Sequence, residues 1–312
     1  MQSDTFLLYL LLLFVMSFEP LSPHTILIDA PFHGVKGILG TYLVKSDKTA
    51  LIDAGSTAVI PEIINALEAL NVDQLDYIVP THIHLDHAGG TWKLMEAYPR
   101  ATLIVHPRGR QHMIDPSNLE KAARALFGDH VNSYGEIRGT LPTRTHGSTN
   151  KQEINLGEVT MKILWTPGHS SHHQCIYVPE DQELIAGDAA GFYLKGIIMP
   201  TTPPPFNPPK AIDSLNKLIE LSPKTICYGH FGCSSDAVQK LIAHREQLKT
   251  WLNVVEKNWD KVKDLNAIYE SIREADPYAM RSGGFSPGEG ERSPSVNLQG
   301  FVKYVEWMKT GS

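Results

Sequence analysis

The chain is predicted to be an α/β protein with a C-terminal helical appendage, on three observations. Short β-branched runs alternate with stretches of helical periodicity as far as about residue 233. Several of those runs end in clusters of histidine and aspartate. Beyond residue 234, apolar residues recur at helical spacing instead.

Residues 25–29, 38–44 and 49–53 are β-branched and apolar, punctuated by Gly and by Ser46-Asp47-Lys48, and read as strands. Gly55-Ser56 turns the chain into a helix with Ser56 as its cap, and Ile60, Ile63, Ile64, Leu67 and Leu70 form one apolar face. The run 75–79 is the next strand, and Gly89-Gly90 lets the following helix start tight against it. After a strand at 102–106, the segment 107–150 is predicted to hold a helix at 118–127 and a polar stretch at 138–150, placed to form a lid or substrate wall. Strands at 159–165, 174–178 and 183–186 follow. Six prolines between positions 200 and 209 predict a stiff loop. Asn207-Pro208 starts a helix, and 225–228 is the last strand. The appendage is expected to contain a long helix through Ala237, Leu241, Leu248, Leu252, Val255 and Trp259, then helices at 267–274 and 296–308 flanking a Gly/Ser/Pro-rich loop.

The chemistry begins at Thr81-His82-Ile83-His84-Leu85-Asp86-His87-Ala88-Gly89-Gly90. In extended backbone, residues two apart face the same way, so His82 and His84 can reach one ion together. Asp86 and His87 point elsewhere, which suits a second ion close to the first, and two adjacent ions can hold one hydroxide between them. Imidazole and carboxylate ligands without thiolate fit two divalent ions, Zn2+ ahead of Fe or Mn. The pattern continues in Thr166-Pro167-Gly168-His169, Ala186-Gly187-Asp188 and Tyr228-Gly229-His230, each after a short β-like run. Strand ends of this kind are where open α/β folds commonly place their sites.

In the order of these motifs the chain resembles the metallo-β-lactamase-fold superfamily of metallohydrolases, from residue 25 to about 232. The resemblance implies a four-layered αββα sandwich. It implies that His82, His84 and His169 bind a first metal, that Asp86, His87 and His230 bind a second, and that Asp188 bridges them. Asp53 matches a carboxylate that orients the site, and His173 a histidine of glyoxalase II-like members. His172 stands where those members carry Gly. Tyr193 lies near a tyrosine of some lactonases, which makes it a candidate substrate contact. Asp86 is further expected to pass a proton to the leaving group.

Three regions are expected: an N-terminal extension at 1–24, a catalytic domain at 25–233 and helices at 234–312. The apolar run 6–18 is too short for a comfortable membrane span and lacks a basic flank and a cleavage site. A cytoplasmic location is therefore preferred to export. Net charge is −6 without a basic run, which excludes a nucleic-acid groove; the expected partner is a small-molecule substrate, with homo-oligomerisation left open. Three cysteines cannot form a disulfide framework, and Cys175 and Cys227 read as core residues. Arg108 and Arg110 read as surface groups, weighed also as contacts to a substrate carboxylate.

The functional expectation is a hydrolase attacking an ester-like carbonyl, a thioester or lactone, with a metal-bridging hydroxide. The alternative is a mononuclear iron oxidoreductase of the persulfide dioxygenase type on the same fold. His87 and His230 argue against it.

Overall fold

The computed structural model describes residues 18–32, 34–194, 196–281 and 294–311. Seven strands form one sheet in sequence order: β1 (Phe18–Pro20), β2 (Thr25–Phe32), β3 (Val35–Lys45), β4 (Thr49–Ile52), β5 (Tyr77–Val79), β6 (Thr102–Val105) and β7 (Thr145–Gly147). The second sheet contains β8 (Glu153–Asn155), β9 (Thr160–Trp165), β10 (Gln174–Val178) and β11 (Glu183–Ile185). After a separate hairpin of β12 (Phe192–Leu194) and β13 (Ile197–Met199), β14 (Thr225–Cys227) and β15 (Cys233–Ser234) complete it, in the order β15-β14-β11-β10-β9-β8.

Side-chain alternation sorts the residues into layers. Tyr42, Val44, Ala50 and Ile52 point toward the second sheet and meet Ile163, Ile176, Ile185 and Cys227 there. Their neighbours Leu43 and Leu51 point the other way, against Ile60, Ile63 and Leu67 of the Ile60–Ala69 helix and Leu94 of Thr91–Ala97. On the second sheet, Cys175, Leu184 and Ile226 face outward onto Leu215, Trp251, Val255 and Phe301. A period of two thus places alternate residues of one strand in different cores, and the result is the αββα sandwich.

The appendage packs on that outer layer through one continuous core. It comprises the long helix Ala237–Val262, then Leu265–Ala275, Pro277–Arg281 and Pro294–Thr310. The short Pro277–Arg281 helix falls between the helix expected at 267–274 and the expected loop from 281 to 294, most of which lies outside the described residues. No helix among the described residues is long and apolar enough to cross a membrane. Most of the run 6–18 lies outside them too.

Three expectations need correction. Residues 18–20, assigned to a loose extension, pair antiparallel with Ile26–Ile28 as the edge strand of the first sheet. Ser56 precedes a 3-10 turn at Thr57–Val59 and makes no side-chain cap, and the helix proper starts with Pro61 in its first turn. Cys227 and Cys233 form a disulfide across β14 and β15, because the antiparallel register sets them opposite each other; Cys175 is free and buried as expected.

Glu183 on β11 is buried in this framework. Burial pushes its carboxyl up to about 7, the Thr25 hydroxyl opposes that, and Asp181 adds to it. The folded state therefore holds this proton more tightly than the unfolded chain, and stability falls as pH rises from 4.5 through about 7. Glu183→Gln is expected to stabilise the protein at pH 8 by about 2–3 kcal/mol more than at pH 5. Equal urea midpoint shifts at the two pH values would refute this.

Candidate metal centre

The candidate residues gather at one edge of the sandwich, just past the carboxyl ends of β4, β5, β9, β11 and β14. Asp53 follows β4 in a left-handed conformation, φ 58°, costly for a residue with a side chain. That conformation aims its carboxylate under the next loop, where it accepts from the Thr81 amide at 2.6 Å and from the Thr81 hydroxyl at 3.0 Å. His84 follows in extended backbone, and the short helix Leu85–Ala88 turns Asp86 and His87 to another side.

Two sets of ligand atoms result. His82 Nε2, His84 Nδ1 and His169 Nε2 form a triangle with sides of 2.9, 3.1 and 3.2 Å. His169 donates from Nδ1 to the Thr201 carbonyl at 2.6 Å; a carbonyl only accepts, so this contact fixes the tautomer. His82 Nδ1 lies 3.1 Å from the Thr81 hydroxyl, which accepts its proton while donating to Asp53. The Nε2 atoms of His82 and His169 thus turn lone pairs toward each other. Mutual repulsion would part them unless a cation sat between, and ligands at tetrahedral Zn–N distances are about 3.3 Å apart, close to the triangle seen.

In the second set, Asp86 Oδ2 lies 3.3 Å from His87 Nε2 and 3.5 Å from His230 Nε2. His87 donates from Nδ1 to Asp53 at 2.9 Å. Asp188 lies between the sets: Oδ1 is 3.3 Å from His87 Nε2, while Oδ2 is 3.4 Å from His230 Nε2 and 3.6 Å from His169 Nε2. Gly229 makes this approach possible, since a Cβ there would fall 2.6 Å from His87 and 3.0 Å from Asp188.

The electrostatics suit ligation. Burial, reinforced by neighbouring imidazoles, holds His82 and His84 well below the usual histidine range, and burial lowers His169 despite Asp188. They are neutral at pH 7, the form that binds metal. Burial opposes ionisation of Asp86 and Asp188, yet nearby histidines win and hold both below the carboxylate range. Burial likewise opposes charge on His87, but Asp86, Asp188 and Asp53 raise it well above 6.5. A divalent ion answers the same demand for positive charge. Asp86 Oδ1, His87 Nε2, Asp188 Oδ1 and His230 Nδ1 are buried without hydrogen-bond partners, and all four belong to residues of these sets. The residues present fit two metal ions.

All seven expected ligands are therefore brought together, with Asp53 behind His87. His173 lies outside both sets: its ring stacks on His82 at 5.1 Å and its Nδ1 meets the Thr166 hydroxyl at 2.8 Å. Burial lowers its pKa well below the usual range. Tyr193, a candidate substrate contact, does not line the cavity above the ligands; its ring stacks on Tyr228 at 4.7 Å, drawn there by the β12 hairpin. His172 does line the cavity.

Sequence reasoning missed Thr81 and Thr166, and also Thr201 and Asn297. Asn297, from the last helix, accepts from the Thr202 amide at 2.7 Å, and its carbonyl accepts from the Thr202 hydroxyl at 2.8 Å. It thereby anchors the loop whose Thr201 carbonyl holds His169. No spacing in the sequence signals a backbone carbonyl 32 residues away.

A buried cage of five histidines and two aspartates at the edge of an αββα sandwich defines a metal-binding α/β protein of the metallohydrolase kind. A model of the metallo-beta-lactamase superfamily matches residues 38–230, more than half of the sequence, and the chain belongs to that superfamily. It is similar to the metallo-beta-lactamase fold-containing protein ST1585 of Sulfurisphaera tokodaii, 32% identical over 222 residues, which are 69% of this chain and 79% of that one. The solved structure of ST1585 superposes with a TM-score of 0.66 at 27% identity, covering 91% of this chain and 100% of that chain. TTHA1429 from Thermus thermophilus has a TM-score of 0.69 at 18% identity, over 93% and 95% of the two chains, a likeness of fold alone. A hydroxyacylglutathione hydrolase of Synechococcus sp. is 27% identical over 147 residues, 47% of either protein. Membership brings divalent-metal binding and hydrolase-like chemistry.

Proposed function

We propose that this protein is a dinuclear metal-dependent hydrolase of ester-like bonds, thioesters or lactones. The observation that carries the reading is the position of Asp188, within 3.3–3.6 Å of His169, His87 and His230, so that one carboxylate is shared by both ligand sets. A mononuclear iron oxidoreductase would leave Asp86, His87 and His230 without work.

His82, His84 and His169 would hold one ion and Asp86, His87 and His230 the other, with Asp188 common to both. When bound, two divalent ions supply Lewis acidity and a water whose pKa falls from ~15.7 to about 7. The chain's own residues do the rest. His84, Asp86, His169, Asp188 and His230 form the floor of a cavity that orients the carbonyl above them and limits water. Asp86, held as a carboxylate, takes the proton released by the attacking water and passes it to the leaving sulfur or oxygen. Thr81 and Thr201 keep His82 and His169 in the ligating tautomer.

Elemental analysis of the purified protein, followed by thioester, lactone and β-lactam substrates, tests this. About two zinc ions per chain with thioester or lactone turnover are expected. One iron with oxygen consumption would decide for the oxidoreductase.

A further inference from the structure

The cavity above the ligands measures about 550 Å³, within the usual range for small-molecule sites. One wall is the Ser117–Phe127 helix, which presents Leu119, Ala122, Ala123 and Leu126, a stripe at i, i+3, i+4 and i+7, together with Phe127. Its opposite face carries charge, including the Glu120–Arg124 pair. No residue of this helix is fully buried, and Leu126 is 42% exposed. The stripe serves both: Leu119, Ala123 and Phe127 pack on the small core of Leu85, Val131 and Tyr134, and with Ala122 and Leu126 they also line the cavity. Facing it are Phe192, Met199 and the run Pro203-Pro204-Pro205.

Charge is as informative as shape. Among the described residues lining the cavity there is no lysine or arginine. Arg110, weighed from sequence as a carboxylate contact, is turned away, donating to the Thr145 and Pro142 carbonyls. Among the described residues these walls offer no fork of donors to a substrate whose recognition depends on a distant carboxylate or phosphate. Ions held by the floor residues would act on the reacting carbonyl beside them rather than on a remote anionic arm.

We infer that the site takes esters or thioesters of uncharged, apolar acyl groups, aliphatic chains of middle length that lie between the Ser117–Phe127 helix and the proline run. The inference rests on the hydrolase reading. In the reaction the oxygen of water bonds to the acyl carbon, the C–S or C–O bond breaks, and the leaving atom takes a proton. Fatty acid and thiol or alcohol are released without another co-reactant.

The test uses metal-loaded protein with p-nitrophenyl esters and N-acetylcysteamine thioesters from acetyl to decanoyl, with S-lactoylglutathione as the anionic comparison. Full burial of each methylene is worth about fourfold. With about half of that realised, kcat/KM should rise about fiftyfold or more from acetyl to octanoyl. Leu126→Asp and, separately, Ala123→Asp should cut that ratio to about fivefold or less. Calorimetry should also find octanamide bound at least about tenfold tighter than acetamide, a readout that needs no turnover. A flat chain-length profile with preference for S-lactoylglutathione, or equal binding of the two amides, overturns the inference while leaving the hydrolase reading intact. No turnover of any ester, thioester or lactone overturns both.

Discussion

Asp188→Ala is expected to lower kcat/KM for any substrate at least about a thousandfold, the several kcal/mol attributable to polarisation of the carbonyl and activation of water. The expectation follows from what its two oxygens touch. One faces His87, the other faces both His230 and His169, and the carboxylate is buried and held ionised by them. Its loss removes a carboxylate that touches both sets and leaves the raised charge of His87 with one fewer counter-ion. Metal content measured with the kinetics should fall as well, with the far-UV circular dichroism unchanged. Activity within about tenfold of the parent would sink the bimetallic assignment.

Asp53→Ala is expected to have the second-largest effect, although Asp53 belongs to neither ligand set. It accepts from the Thr81 amide and hydroxyl and from His87 Nδ1, all at 3.0 Å or less. Alanine would orphan a buried amide and release His87 to rotate. Metal affinity should weaken about 10–100-fold, the range seen when a group orienting a ligand is lost. Stability should drop by about 3–5 kcal/mol, the cost of breaking one partner out of a buried charged network. Activity should recover in excess metal, which separates this residue from Asp188. Failure to recover, with metal content normal, would contradict the positioning role.

The strand and helix runs and the early ligand cluster are legible in the residues themselves, whereas the sandwich and the convergence of seven side chains are what the resemblance to the superfamily implies. Strand periodicity and motif spacing are local properties, and His82, His84, Asp86 and His87 sit within six residues of each other. Contacts made by backbone atoms or by distant partners leave no such trace. The Thr201 carbonyl carries no residue identity, Asn297 reaches Thr202 across 95 residues, and the Cys227–Cys233 pairing depends on a two-residue strand too short to recognise. Tyr193 escapes its expected place because proximity in sequence to Asp188 does not fix direction; the β12 hairpin carries its ring onto Tyr228 instead. The Ser117–Phe127 helix is legible from periodicity, but its apolar stripe reads the same whether a core or a ligand lies beneath it.

The anchoring of Thr202 by Asn297 makes the terminal helix part of the scaffold that aims an imidazole. Gly300, one turn on, lets that helix press against the same loop, where a Cβ would collide with the Thr202 carbonyl. The superfamily match stops at residue 230, yet the mechanical frame of His169 extends into the final helix of the polypeptide. Divergence in those last helices can therefore retune the reactive centre without altering a single liganding atom.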